Sequence, residues 1–200
     1  MGKGGAQGRP NRSLATALAL VGVLAVALAL RLWGLGRESL WLDEATSLML
    51  ARMPIPVLVA WTAADIHPPL YYLLLHFWRF LGEGEATLRG LSVLGGVLGV
   101  ALTFLVARQL FDRRAALAAA LLLSVSPLHI WYSQEVRGYV WLATFALLAM
   151  YGLARLMGEE GGLTVWRAVR SEAAGWLAYV LGMALALYVH YYAVFLLVAA

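Results

Sequence analysis

The chain has 200 residues, 62% of them hydrophobic and only 13% charged, about half the charged share of an ordinary soluble domain. Its long apolar runs approach the roughly 20 residues that a helix needs to cross the hydrocarbon core, which excludes a water-soluble globule. The lack of cysteine removes a disulfide framework, a thiolate metal site and a cysteine nucleophile. The net charge of +4 sits at span ends rather than on one patch, so nucleic acid is not an expected partner.

Residues 1–13 form a Gly-rich tail carrying Lys3, Arg9 and Arg12, the basic flank expected on the cytoplasmic side. The unbroken run Leu14 to Leu30 is the first span. Ala27-Leu28-Ala29 resembles a signal-peptidase site, but the run is longer than the usual core of about 7–15 residues, and aromatic sequence follows it.

Residues 33–89 mix polar, aromatic and apolar side chains and form an outer loop. Within it, Leu70 to Leu81 is short and contains His76 and Arg79, so it does not read as a crossing. A crossing there would put Arg108, Arg113 and Arg114 outside, against the preference of basic residues for the cytoplasm. Leu70, Leu73, Leu74, Phe77 and Trp78 recur at helical spacing and predict an amphipathic helix lying on the outer interface.

Further spans are expected at Leu91 to Ala107, Ala115 to Ile130, Tyr139 to Met157 and from Ala173 onward. In the first of these, Gly95 and Gly99 would let another helix approach closely, or leave room for a lipid tail. The fold class is therefore all-α: a polytopic transmembrane helical bundle over residues 14–200, about five spans, with an outer juxtamembrane helical loop between spans one and two. Arg113, Arg114, Arg155, Arg167 and Arg170 then fall inside with the amino terminus of a multi-pass cell-membrane protein. The last run is still apolar at Ala200, so the sequence reads as the amino-terminal part of a longer chain.

Glu38, Asp43, Glu44, Asp65, Glu83, Glu85 and Glu135, seven of the 11 acidic residues, lie on the outer side of this topology. Asp43 and Glu44 follow Trp41 just past span one, at headgroup depth, where a carboxylate is a candidate general base; alternatively the pair simply begins a helix and complements its dipole. In Asp65-Ile66-His67-Pro68-Pro69, proline holds His67 extended and starts a helix, so a stiff elbow presents Asp65 and His67; a plain helix start with Asp65 near the cap is the alternative. In the turn Ser133-Gln134-Glu135-Val136-Arg137-Gly138-Tyr139, an arginine among aromatic residues suits a phosphate, or snorkels to ordinary headgroups. His190, Tyr191 and Tyr192 come near the outer end of the last span, where aromatic belting is the plainer account.

No P-loop, dinucleotide-binding glycine pattern, His-Glu-x-x-His or Gly-x-Ser-x-Gly occurs. No cofactor is firmly implied, although Asp43, Glu44, Asp65 and His67 could offer oxygen and imidazole ligands to a divalent metal.

Taken in order, Trp-Leu-Asp-Glu-Ala, Asp-Ile-His-Pro-Pro-Leu-Tyr-Tyr and Gln-Glu-Val-Arg-Gly-Tyr resemble the integral-membrane glycosyltransferases of the C-type fold. The resemblance is closest to the family of protein O-mannosyltransferases and lipid A aminoarabinose transferases, and runs from about Arg31 to Tyr192. It implies a polyprenyl-phosphate-linked sugar donor; a protein, lipid or glycan acceptor; and an active site on the outer face, among membrane lipids. It further implies that Asp43 is the catalytic base supported by Glu44, that Arg137 meets the carrier phosphate, and that Asp65, His67, Gln134, Tyr139, His190 and Tyr191 line the cavity. A transporter or flippase component is the rival, weakened because the spans Leu14 to Leu30, Leu91 to Ala107 and Ala115 to Ile130 are read as free of acids and bases. A non-catalytic membrane scaffold is a third reading.

Overall fold

The computed structural model describes residues 12–65, 67–157 and 165–199. Most of the amino-terminal tail, and the expected sidedness of Arg167 and Arg170, lie outside what it describes. Among the described residues the chain is helical, with no strand.

Helix α1 (Arg12–Leu32) satisfies its backbone internally, as lipid demands. Its Leu14, Leu18 and Val21 point outward. It runs unbroken through Ala27-Leu28-Ala29, and Ala27 is buried in an apolar cluster with Val100 and Ala120. Three short helices follow: α2 (Leu42–Arg52), α3 (Ile55–Ala63) and α4 (Leu70–Trp78), the last continued by a 3₁₀ turn over Arg79–Leu81. Prolines punctuate them. Pro54 disfavours helical geometry at Met53 and ends α2; Pro69 caps the start of α4.

Nine residues of α4 rise about 14 Å, under half of the roughly 30 Å apolar core. This helix is too short to cross. Nor does it merely float on the interface: Tyr71, Tyr72 and Leu75 are buried against α2 and α9, while Phe77, from the expected apolar stripe, is exposed.

The remaining helices are α5 (Glu85–Leu110), α6 (Arg113–Ser124), α7 (Pro127–Ser133), α8 (Tyr139–Met157), α9 (Val165–Val189) and, after a 3₁₀ turn over Tyr191–Ala193, α10 (Val194–Ala199). Among the described residues, α1, α5, α8 and Glu172–Val189 of α9 are long and apolar enough to cross a membrane. The expected span Ala115 to Ile130 is broken: α6 and α7 meet at a 60° bend, where Pro127 begins α7 and cannot donate to the preceding turn. Counting that pair as one crossing gives up to five.

Lipid tails are as apolar as leucine, so small residues and interhelical hydrogen bonds, rather than the hydrophobic effect, hold such helices together. A Cβ on Gly152 would strike the backbone of Tyr179, and one on Gly182 the backbone of Ala149, so α8 and α9 meet backbone to backbone. Gly95 faces the Trp141 ring, and Gly99 faces Thr144 and His129. Thr144 Oγ1 donates to the Gly95 carbonyl at 2.8 Å, and Trp141 Nε1 to that of Leu91 at 3.2 Å. The glycine pair thus admits α8 closely, as expected, and that approach leaves no room there for a lipid tail.

Candidate active site

The end of α1, the 33–84 loop, the start of α5, the α7–α8 turn and the end of α9 all converge at one end of the bundle. A buried ion pair pins them. Glu44, in the first turn of α2, is fully buried; its Oε1 and Oε2 accept from Arg89 Nε at 2.9 Å and Nη2 at 2.7 Å. Oε1 also accepts from the Val136 amide at 2.9 Å, and Oε2 from the Trp41 amide at 3.3 Å. Arg89 donates further to the carbonyls of Leu35, Glu38 and Ser39. The Glu44 carboxylate is therefore saturated with donors from α5, the α7–α8 turn and its own helix start. Such a group fixes geometry rather than accepting a substrate proton.

Asp43 precedes it by one residue, about 100° around the helix, and faces elsewhere. Its side chain is 44% exposed, and Oδ2 stands 3.8 Å from Arg137 Nη2, within Coulomb reach but beyond a hydrogen bond. The Arg137 side chain is only 11% exposed. Its Nη2 donates to the Tyr139 hydroxyl at 3.1 Å and to His67 Nε2 at 3.4 Å, and the guanidinium sits 5.3 Å from the centre of the Tyr139 ring. Burial works to lower the Arg137 pKa, but the Tyr139 hydrogen bond and the nearby oxygens of Tyr139, Tyr72 and Asp43 outweigh it and hold the group above its ordinary value. This cation stays charged.

With His67 Nε2 accepting from Arg137, the imidazole proton belongs on Nδ1, which faces Asp65 Oδ2 at 3.6 Å. His190 meets His67 edge to face, ring centres 5.4 Å apart, and its Nδ1 accepts from the Tyr192 amide. Burial, reinforced by His67 and Arg137, lowers the His190 pKa and favours the neutral ring. The cleft among Arg137, His67, Tyr71, Gly138 and His190 measures about 10 Å³, room for a single water. A larger group does not fit inside it; Asp43, 44% exposed, is the accessible member of the cluster.

Of the residues singled out on the sequence, Asp43, Asp65, His67, Arg137, Tyr139 and His190 assemble here. Tyr191 stays half exposed beside them. Gln134 donates its amide to the carbonyls of Arg31 and Trp33, closing the end of α1, and lines a second cavity rather than the Arg137 cleft. The suggested metal set does not form, because Arg89 occupies Glu44; among the described residues no group of three or more ligating side chains is placed to hold a metal ion.

A second, roomier cavity of about 310 Å³ lies behind the Glu44–Arg89 pair, with Gly34, Arg37, Glu38, Trp41, Trp131 and Glu135 on its wall. Trp131 Nε1 donates to Glu135 Oε1 at 2.6 Å. Burial raises the Glu135 pKa against the opposing pull of that bond.

One ionisable group, His129, sits inside a span read as free of them, and Arg31 sits at the edge of another. Arg31, one residue past the counted apolar run, is fully buried. It donates to Ser133 Oγ at 3.2 Å, to the carbonyls of Ala27, Ser124 and Leu123 at 2.8, 3.1 and 3.5 Å, and to His129 Nδ1 at 2.7 Å. His129 lies within the third expected span and puts a base there. Its other nitrogen, Nε2, is buried without a partner. Arginine at the edge of an apolar run was the available signal for Arg31; for Arg89, nothing in the sequence pointed to Glu44, 45 positions away.

No curated protein and no solved structure matches the chain. Residues 66–200 match the family described as dolichyl-phosphate-mannose-protein mannosyltransferase, a stretch that includes His67, Arg137, Tyr139 and His190 and begins beyond Asp43. The match covers more than half of the chain, which therefore belongs to that family of membrane glycosyltransferases using a lipid-linked sugar.

Proposed function

We propose that the chain moves a sugar from a polyprenyl-phosphate carrier to an acceptor hydroxyl on the outer face of the membrane. The observation that carries this reading is the meeting of Asp43, Arg137 and His67 at one end of an otherwise apolar bundle, with separations of 3.8 and 3.4 Å. Asp43 takes the acceptor proton as its oxygen attacks the anomeric carbon from the face opposite the phosphate. The carbon–oxygen bond to the carrier breaks, configuration inverts, and Arg137 neutralises the departing phosphate. Glu44 holds the base in place through Arg89.

Orientation rests on charge. Arg108, Arg113, Arg114 and Arg155 lie at the end of the bundle away from Asp43, the distribution expected of a cytoplasmic side. Nucleotide sugars are not available outside the cell, so a lipid-linked donor fits an outward-facing site. A protein, a lipid or a glycan could each supply the acceptor hydroxyl.

The buried Arg31–His129 pair is the kind of intramembrane group a transporter would use. Here, though, the five N–H donors of Arg31 are committed to fixed acceptors on α1, α6 and α7, which argues for a structural clamp. The test is Asp43→Asn in the full-length protein, given lipid-linked sugar and acceptor. Transfer should fall by about 10² to 10⁴; a rate near wild type would remove Asp43 from the mechanism.

A further inference from the structure

The cavity behind the Glu44–Arg89 pair shares no wall residue with the Arg137 cleft, so the phosphate reading leaves it unexplained. Its volume of about 310 Å³ lies at the small end of ligand sites, which run from roughly 300 to 1,000 Å³. That is room for one sugar ring and its substituents. Two indoles stand at its rim, Trp41 at 49% and Trp131 at 65% exposure. Indoles at this depth commonly anchor to headgroups through the ring N–H. Trp131 instead gives its N–H to Glu135, which holds the indole in place on the cavity wall.

The wall chemistry matches a pyranose. A sugar ring is apolar across its C–H face and hydroxyl-rich around its edge; an aromatic face complements the first, and carboxylates and guanidinium the second. Glu38 and Glu135 provide acceptors and Arg37 a donor. At the floor, Arg89 is balanced by Glu44, so the free charge of the wall leans negative and disfavours a phosphate. The α7–α8 turn thus shows two chemistries: Glu135 to this cavity, and Arg137 to Asp43.

We propose that this cavity is a saccharide subsite seating a neutral pyranose ring of the acceptor, a reading that rests on the transferase function proposed above. The same chemistry would also recognise the sugar of the donor, and the test separates the two sources. Full-length Asp43→Asn protein, used to slow turnover when donor is added, is titrated with methyl α-D-mannopyranoside and methyl α-D-glucopyranoside under saturation-transfer NMR.

One glycoside or both should bind. Affinity should fall about tenfold in Trp131→Ala and in Glu135→Gln, the loss of one platform or one charged hydrogen bond; it should be retained in Trp131→Phe, which keeps a ring, and in Arg137→Ala. Saturating polyprenyl-phosphate mannose should leave the probe bound. Displacement by that donor would overturn the acceptor assignment. Absence of binding, unchanged affinity in both Trp131→Ala and Glu135→Gln, or loss only in Arg137→Ala would overturn the subsite itself. These readouts are binding measurements, so they fail or succeed independently of whether Asp43→Asn abolishes transfer.

Discussion

Asp43 and Glu44 carry the same functional group on adjacent positions of α2, yet their surroundings divide the work. Glu44 has no exposed surface and satisfies the buried Arg89. Removing one partner of such a pair leaves the other charge stranded, at about 3–5 kcal/mol. Glu44→Ala should therefore show as a large loss of thermal stability and of folded yield in detergent, whereas Asp43→Asn should leave the melting temperature unchanged while removing activity. Equal melting losses in the two variants would erase the distinction. His190 supplies a pH signature. Its pKa is lowered in the fold, chiefly by burial and then by His67 and Arg137, so the unfolded chain takes up a proton first as pH falls. Its contribution to stability is complete above pH 6.5, the ordinary value, and declines as pH drops below that toward the lowered one. Melting curves between pH 8 and 5 should fall less steeply in His190→Gln than in the wild type.

At the scale of elements, the organising device is the Arg31 clamp. The bend between α6 and α7 frees carbonyls at the end of α6, which in lipid would cost several kcal/mol each if left bare. Arg31 takes up that of Ser124 and adds to that of Leu123, which also accepts from the Ser126 amide, while holding Ser133 and His129 of α7. It thereby sets the direction of α7 and of the turn that delivers Arg137. Arg31→Lys keeps the charge but has three donors in place of five, and should lower the melting temperature and weaken transfer together. Gly96→Ala should act in the same direction, because its Cβ would strike Ser133 Oγ and crowd Arg31 Nε at 2.9 Å. A wild-type melting temperature in both variants would refute the clamp. The apolar runs of α1, α5, α8 and α9 were legible because span length is a local property of sequence. The α6–α7 break was signalled by Pro127 but hidden inside a continuous apolar run. The clamp was not legible, since Arg31 and its partner Ser133 lie 102 positions apart and only packing brings them together.

Across the whole molecule, the polar chemistry gathers at one end of the bundle. Local motifs in the sequence marked Asp43, Asp65, His67, Arg137, Tyr139 and His190, and the fold brings these residues to one end of the bundle. The division between the Arg137 cleft and the cavity behind Glu44 was not readable, because it depends on which way neighbouring side chains of α2 and of the α7–α8 turn face. The positive flanks at Arg113, Arg114 and Arg155 belong at the opposite end. Since the chain has no cysteine of its own, single cysteines at Glu38, Tyr191 and Arg114, all exposed, can be probed in intact cells with a membrane-impermeant maleimide. Labelling is expected at positions 38 and 191 from outside and at 114 only after permeabilisation. Positions 38 and 191 reporting from opposite sides of the membrane would contradict it.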